Sequence, residues 1–241
     1  MKAQPPRSAK IHKGPGFRVN AEIVRPREDT VTLFAELEVA DISDHLNRLY
    51  ALDEGIRCLS GSGKLIGPAC TVRVYPGDNL MVHKSLDIAK PGDVVVIDAH
   101  GSRLNAVLGD MISTKARHRG IAGFVVDGYV RDLDDIRALG FPIFARGATP
   151  IGPLHRGPGE INYPICCGGV VVDPGDLIVA DGSGIVVVPQ SHIMQVYRSL
   201  VDYLETSADY RRSLSAGTFS NAWVDDVLSN LGMVPESQRT R

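Results

Sequence analysis

The sequence predicts an α/β protein with a parallel βαβ core and a small mixed or antiparallel sheet. In its centre, apolar runs at 93–99, 121–128 and 142–147 alternate with stretches of helical periodicity. Strands that are apolar throughout are typical of parallel units covered on both faces. After Gly147, short apolar runs are separated by Pro-Gly or Asp-Gly dipeptides, which predicts a meander or a small barrel-like sheet.

The elements before the first central strand follow from local patterns. Residues 1–28 are rich in Pro, Lys, Arg and Gly and lack periodicity, so they predict an N-terminal arm. Such an arm either wraps a neighbouring subunit or forms a mobile tail. Apolar spacing then predicts helices from Thr30 and over 41–50, a strand over 69–75 and a helix over 79–89.

The remaining helices separate the central strands and close the chain. Periodicity predicts helices over 104–119, 130–140, 191–213 and 222–231. We find no low-complexity linker, and the sequence therefore predicts a single domain over 29–241 with C-terminal helices.

Composition narrows the class of protein. Of the 241 residues, 44% are hydrophobic and 22% charged, which is ordinary for a globular protein. The formal net charge of −2 offers no general attraction for nucleic acid or an anionic membrane, so neither is predicted as a partner. The basic N-terminus lacks the apolar region of a secretory signal, which favours a cytoplasmic protein. The four cysteines lack CxxC spacing and are predicted to be reduced, buried thiols.

The segment 109–132 carries the chemistry-bearing residues. Asp110 and the pair Arg131-Asp132 each fall where an apolar strand gives way to a helix. In a parallel α/β unit such strand ends lie side by side at one edge of the sheet, where ligands bind. A guanidinium, carboxylates and a helix N-terminus at one edge suit a small, anionic, oxygen-rich substrate.

Each of these residues also has a purely structural interpretation. Asp132 either stabilises the first turn of a helix or helps to hold a divalent cation such as Mg²⁺. Arg131 either pairs with Asp134 or Asp135 or binds a substrate carboxylate with its forked guanidinium. The segment Gly109–Ile112 is either a plain helix start, with Asp110 in its first turn, or a cradle of backbone N–H groups for a carboxylate.

Other polar residues carry weaker signals. Asp78 and Asn79 more often cap the following helix than contact a substrate. The histidines show no metal-ligand spacing, and only His100, at the end of a buried strand, is a candidate pocket residue. No lysine sits in a setting that suggests a Schiff base, so the residues favour a metal-dependent route.

The chain resembles the RraA-like proteins, a family that includes class II pyruvate aldolases acting on 4-hydroxy-4-methyl-2-oxoglutarate and 4-carboxy-4-hydroxy-2-oxoadipate. The resemblance covers about residues 30–215. It rests on five segments: ADISDHL (40–46), KLIGPACTV (64–72), PGDNLMVHKSLDIAKPGDVVVID (76–98), LGDMISTKARHRGIAGFVVDGYVRD (108–132) and PGDLIVADGSGIVVVP (174–189). It implies an αβ sandwich of the phosphohistidine swivelling-domain type, in homotrimers or hexamers with sites at subunit interfaces.

The resemblance also implies roles for individual residues. Asp132 would hold Mg²⁺ or Mn²⁺ largely through waters, and Arg131 would bind substrate and stabilise a pyruvate enolate. The backbone of Gly109, Asp110, Met111 and Ile112 would bind the pyruvyl carboxylate, while Asp110 would position a water for proton transfer. In the aldolases an acid from a neighbouring C-terminal helix supports the metal's water shell. Glu205 and Asp209 are nearby acids in the C-terminal helices of this chain.

The implied reaction is retro-aldol cleavage of a 4-hydroxy-2-oxo acid to pyruvate and a carbonyl product, with oxaloacetate decarboxylation through the same enolate. The alternative is a non-catalytic protein that binds and inhibits an RNA-degrading endonuclease, as some RraA-like members do. Such members lose the carboxylate after the arginine, whereas this chain keeps Arg131-Asp132 and Gly109-Asp110. A demethylmenaquinone methyltransferase is disfavoured, because no glycine-rich loop follows a first strand.

Overall fold

The computed structural model describes residues 10–61 and 63–233. Predictions that fall on residues 1–9, Ser62 and 234–241 lie outside this part of the chain. The chain divides into two compact units, Met1–Arg198 and Ser199–Arg241. The extent of a single domain from residue 29 onward stays a prediction.

One large mixed sheet forms the centre of the first unit. In the described part of the chain it has nine strands, and its main path runs β1, β7, β3, β4, β5, β6, β2. These strands are β1 (Phe17–Val19), β2 (Arg57–Cys58), β3 (Leu65–Val74), β4 (Val94–Ala106), β5 (Gly123–Val130), β6 (Ile143–Ala148) and β7 (Gly159–Ile161). Strands β3 to β6 pair in parallel, and the predicted α/β class is thereby confirmed.

Antiparallel strands follow the parallel core, in the region where turn dipeptides predict them. The strands β10 (Leu177–Asp181) and β11 (Gly184–Val188) pair with each other, and β10 also pairs with the first half of β3. The strands β8 (Ile165–Cys167) and β9 (Val170–Val172) form a separate two-stranded sheet. The small antiparallel part of the fold therefore has two pieces, one of them continuous with the main sheet.

The central sheet is covered on both faces, as all-apolar strands require. Helices α3 (Leu80–Ile88), α4 (Asp110–His118) and α5 (Leu133–Leu139) share one buried cluster with Val95 and Ile97 of β4. The neighbouring residues Val94 and Val96 point to the other face, where they pack in a second cluster with residues of β8 to β11. Successive β4 side chains thus enter opposite layers, as the two-residue period of a strand dictates.

The N-terminal segment is more tightly joined to the sheet than an arm would be. Strand β1 pairs in parallel with β7, and Arg25 forms two 2.8 Å hydrogen bonds to the carboxylate of Asp93. Helices α1 (Glu28–Thr32) and α2 (Val39–His45) follow. The composition and periodicity of this segment do not predict β1, because a strand of three residues is too short to show alternation of polar and apolar residues.

The predicted helix over 104–119 begins later than expected. Strand β4 continues to Ala106, with register shifts against β5 after Asp98 and Ser102, and the helix begins only at Asp110. The apolar residues 106–108 fit a helical period, but they are buried instead at the edge of the sheet. This places Gly109 and Asp110 directly at the helix start.

The C-terminal residues are helical. The predicted helix over 191–213 is interrupted at Ser207, giving α6 (Ile193–Thr206) and α7 (Ala208–Ala216), and α8 (Ala222–Asn230) follows. Across the described residues, no helix combines the length and apolar character that a membrane crossing requires.

The four cysteines are free, but only Cys70 and Cys167 are buried. Burial raises the pKa of the Cys70 thiol to about 12. Cys58 is half-buried and Cys166 is exposed, so the prediction that all four are buried is wrong for these two. Cys166 faces out because it alternates with the buried Ile165 and Cys167 along β8.

Candidate functional site

The turn between β4 and α4 presents free backbone donors. Gly109 occupies the N-cap position in an extended conformation, and the first helical hydrogen bond runs from the Ser113 N–H to the Gly109 carbonyl at 3.1 Å. The N–H groups of Met111 and Ile112 precede that bond and have no partner within the helix. The Ile112 side chain is buried and the Met111 side chain is exposed. Of Ile112, only the backbone can therefore contact a ligand.

The Arg131-Asp132 pair stands beside this turn. Asp132 precedes α5 with a left-handed backbone, φ 59° and ψ 45°, and its side chain makes no capping hydrogen bond. Its Oδ2 atom instead lies 3.2 Å from Arg131 Nε and accepts a 3.4 Å hydrogen bond from the Asp110 N–H. Asp132 therefore does not cap α5 with its side chain, although it lies at the helix start, where the dipole favours an acid.

Arg131 does not use the partners that its structural interpretation requires. It pairs with Asp132, whereas Asp134 pairs with Arg137 one turn along the same helix. The Arg131 N–H also donates to the Leu108 carbonyl at 3.0 Å, which ties the end of β5 to the residue before Gly109. The arginine is thereby held beside the start of α4.

Two glycines allow this close approach. A Cβ on Gly109 would overlap Asp132 Oδ2 and lie 2.9 Å from Arg131 Cγ. A Cβ on Gly152 would lie 2.8 Å from Arg131 Nη1. Both contacts are closer than real Cβ atoms tolerate, so only glycine fits at these two places without displacing the charged pair.

A shallow cleft of about 330 Å³ opens at this point. Its lining comes from the ends of β5 and β6: Arg131, Asp132, Leu133, Ala148, Thr149 and Pro150. The side chains of Arg131 and Asp132 are 38% and 30% exposed, so a ligand can reach both. His100 does not line this cleft, and its ring instead faces Asp98 with a 3.7 Å separation.

Sequence reasoning placed Asp110, Arg131 and Asp132 at a common edge, and the structure brings them together. It missed Thr149 and Pro150, which follow β6 and line one side of the cleft, and Gly152, which lies against the Arg131 guanidinium. The Pro-x-Gly turn after an apolar strand was the available signal. It points to the same carboxyl edge, because β6 neighbours β5 in parallel.

The carboxylates fit a metal held mainly by water and substrate. In the described ranges no group of three or more His, Cys, Asp or Glu side chains is arranged to hold a metal ion. Asp132 Oδ2 accepts the Asp110 N–H and forms an ion pair with Arg131, and no hydrogen bond to its Oδ1 atom is found among the described residues. Mg²⁺ is commonly bound by one or two carboxylates with several waters, and a single half-exposed Asp132 suits that mode.

Together the fold and the site define an α/β protein that presents free helix N–H groups beside an arginine–carboxylate pair, at the carboxyl edge of a parallel sheet. A family model described as RraA-like, Aldolase/RraA, matches residues 39–187. The chain belongs to this RraA-like family.

Two relatives of similar sequence are named as aldolases. The chain is 48% identical over 162 residues to a Halalkalibacterium halodurans protein named "Putative 4-hydroxy-4-methyl-2-oxoglutarate aldolase", covering 67% of this chain and 77% of that one. It is 34% identical over 155 residues to a Thermus thermophilus protein named "4-hydroxy-4-methyl-2-oxoglutarate aldolase", covering 64% and 94%.

A solved structure of similar fold is instead described as a member of a ribonuclease-inhibitor family. Streptomyces coelicolor RraAS2, described as an unusual member of the RNase ES inhibitor RraA protein family, matches with a TM-score of 0.73 at 33% identity. The match covers 79% of this chain and 99% of that one. This likeness supports the large mixed sheet and helices described above as the fold of the family.

Proposed function

We propose that this protein is a carbon–carbon lyase, a class II pyruvate aldolase that cleaves a 4-hydroxy-2-oxo acid or diacid. The products are pyruvate and a carbonyl compound, and oxaloacetate is decarboxylated at the same site as a side reaction. The observation that carries the proposal is that Arg131 and Asp132 lie beside the start of α4, where Asp132 Oδ2 accepts the Asp110 N–H. The N–H groups of Met111 and Ile112 in the same first turn have no partner within the helix. The aldolase names of the relatives agree with it.

Each group has a defined task in the proposed reaction. The N–H groups of Met111 and Ile112, with the positive end of α4, hold the carboxylate of the pyruvyl half. Arg131 is planar and permanently charged, and it stabilises the negative charge that develops on the 2-oxo oxygen when C3–C4 breaks. Asp110, at the same helix start, orients a water that moves the proton between the 4-hydroxyl and solvent.

Asp132 is the residue that would hold Mg²⁺ or Mn²⁺, largely through waters. When bound, the ion supplies Lewis-acid polarisation of the 2-oxo group. The Arg131 contact to Oδ2 orients the Asp132 carboxylate, which leaves Oδ1 for this purpose. We propose in addition that the protein works as a homotrimer or hexamer, and that an acid such as Glu205 or Asp209 from a neighbouring subunit completes the site.

The test is pyruvate release by the full chain, coupled to lactate dehydrogenase, from a panel of 4-hydroxy-2-oxo acids and oxaloacetate. Turnover is expected with Mg²⁺ or Mn²⁺ and is lost on adding a chelator. Asp132→Asn should lower kcat/KM at least about a hundredfold, because the amide keeps the left-handed backbone but removes the charge. Asp134→Asn, on the same helix and fully exposed, is the matched control and should behave as wild type.

Absence of pyruvate release from every substrate with either metal would rule out the aldolase. The competing function is a non-catalytic regulator of an RNA-degrading endonuclease, and the likeness to the RraA protein of Streptomyces coelicolor favours it. Inhibition of such an endonuclease that is equal for wild type and Asp132→Asn, without any pyruvate release, would support the regulator instead.

A further inference from the structure

Asn79 occupies a helix N-cap position without acting as a cap. It immediately precedes α3, yet its side chain makes no capping hydrogen bond. The neighbouring Asp78 takes that task, since its Oδ1 accepts the Leu80 N–H at 2.8 Å. Asn79 is 2% exposed, and a buried amide in this position needs another use.

The amide of Asn79 instead links two loops. Its Nδ2 donates to the Val107 carbonyl at 3.0 Å, and its Oδ1 lies 2.7 Å from His155 Nδ1. Because a carbonyl only accepts, Val107 fixes which way the amide points. The Oδ1 atom then faces His155, so the proton of that hydrogen bond must reside on Nδ1. Neutral and protonated imidazole both satisfy this arrangement.

Val107 is part of the segment that leads into the candidate carboxylate cradle. Its N–H donates to the Tyr129 carbonyl at 2.9 Å, and the next carbonyl, of Leu108, accepts the Arg131 N–H. One side of this segment is therefore tied to β5 and Arg131, and Asn79 holds the other side. A Cβ on Gly109 would overlap Asp132 Oδ2, so the segment passes directly beside that carboxylate.

The loop that carries His155 is itself anchored to the turn before α3. The Asn79 N–H donates to the Leu154 carbonyl at 3.0 Å, and the Arg156 N–H donates to Asp78 Oδ2 at 2.6 Å. His155 thus sits at a fixed place on a loop that also contributes Pro150 to the cleft and places Gly152 beside Arg131. The hydrogen-bonded path runs from His155 through Asn79 to Val107, two residues before Gly109.

We propose that Asn79 and His155 are positioning residues that set the place of the Met111 and Ile112 N–H groups relative to Arg131. The proposal rests on the proposed function, in which those N–H groups bind the pyruvyl carboxylate. It assigns His155, an exposed residue outside the cleft lining, a role in carboxylate affinity and none in holding the metal.

The test measures ligand binding and avoids reliance on turnover. His155→Leu removes the donor, His155→Asn restores a donor near the place of Nδ1, and His118→Leu changes another exposed histidine as the matched control. With Mn²⁺ present, His155→Leu should raise the Kd of pyruvate about five- to tenfold, the factor that one lost hydrogen bond typically produces. His155→Asn and His118→Leu should remain within about twofold of wild type on the same scale.

The Kd of Mn²⁺ itself, followed by electron paramagnetic resonance, should be unchanged in all three variants. Asn79→Leu is expected to resemble His155→Leu if it folds, but it also leaves the Val107 carbonyl buried without a donor, so His155 carries the decision. An unchanged pyruvate Kd in His155→Leu, or an equal loss of Mn²⁺ affinity, would overturn the positioning role.

Failure of the proposed function is distinguishable from failure of this inference. If wild type binds no pyruvate, amide hydrogen exchange over Val107–Ile112 still decides the matter. Exchange there should be faster in His155→Leu than in wild type and normal in His155→Asn and His118→Leu. Equal exchange in all four proteins would overturn the inference whatever the reaction proves to be.

Discussion

At Gly109 the chain passes so close to the side chains of Arg131 and Asp132 that a Cβ does not fit unless one of them shifts. The backbone of Gly109 is extended, so alanine would cost nothing in conformation there. Its Cβ would nevertheless overlap Asp132 Oδ2. Alanine at this position would therefore act through the steric contact of its Cβ, and backbone strain would not contribute.

Gly109→Ala should displace the Asp132 carboxylate and lower kcat/KM for pyruvate release at least about tenfold, with a stability loss of about 1–3 kcal/mol for overpacking. Gly182→Ala is the control, because a Cβ there meets nothing within 4 Å and the backbone is not left-handed. Steady-state kinetics with urea unfolding measures both effects. Wild-type kinetics in Gly109→Ala would show that Asp132 can shift without loss of function.

In sequence, Asp132 is typical of an acid that stabilises a helix start, whereas the structure leaves its carboxylate accessible to a ligand. An acid before a helix is common, and its usual use is to cap or to favour the dipole. Here the left-handed backbone turns the carboxylate toward Arg131 and the Asp110 N–H. Asparagine tolerates this backbone, which is why Asp132→Asn tests the charge while Asp132→Ala would add strain.

Among the elements, the segment before α1 contributes more than its sequence suggests. Arg25 and Asp93 form a two-bond ion pair, with side chains 13% and 1% exposed. Hydrogen bonding to Asp93 raises the pKa of Arg25. Asp93 stands directly before β4, so the pair ties the N-terminal segment to the sheet.

Arg25→Met should destabilise the protein by about 3–5 kcal/mol, because it leaves the Asp93 carboxylate buried without its counter-ion. Arg27→Met removes a neighbouring arginine whose ion pair with Asp29 is exposed, and it should cost below about 1 kcal/mol. The free energies of unfolding from urea titrations give the comparison. Equal small losses in both variants would mean that water reaches Asp93 and replaces the arginine.

At the scale of the whole molecule, the proposed assembly determines whether one chain suffices for activity. The cleft beside Asp132 is shallow and open, and its described lining contains one acid. A second acid from another subunit would complete the water shell of a metal ion. The resemblance points to the region of Glu205 and Asp209, both of which lie in the second compact unit.

Light scattering should therefore give a mass three or six times that of the 26.0 kDa chain. If a neighbour supplies the acid, either Glu205→Gln or Asp209→Asn will lower turnover. Mixed oligomers of that variant with Asp132→Asn will then regain part of the wild-type rate, since some sites combine two intact partners. A fully active monomer, or mixtures with no recovery, would contradict shared sites.

Much of the fold is readable from local patterns. The all-apolar runs predict parallel strands because their residues must be buried on two faces, and β4, β5 and β6 form where those runs lie. The places where Asp110 and Arg131-Asp132 fall, at strand ends, likewise follow from the sequence. The three-residue β1, the extension of β4 to Ala106 and the break at Ser207 depend on neighbours far away along the chain, and local periodicity did not predict them.

The sequence by itself determined the parallel α/β class, the edge at which the charged residues gather and the family to which they belong. Only the tertiary structure decided that Arg131 pairs with Asp132, that Gly109 and Gly152 make room for the pair, and that Asn79 links His155 to Val107. The physical reason is the separation of the interacting residues along the sequence. Burial and strand pairing repeat along the chain with a period, whereas a hydrogen bond between residues 28 or 76 positions apart leaves no periodic trace.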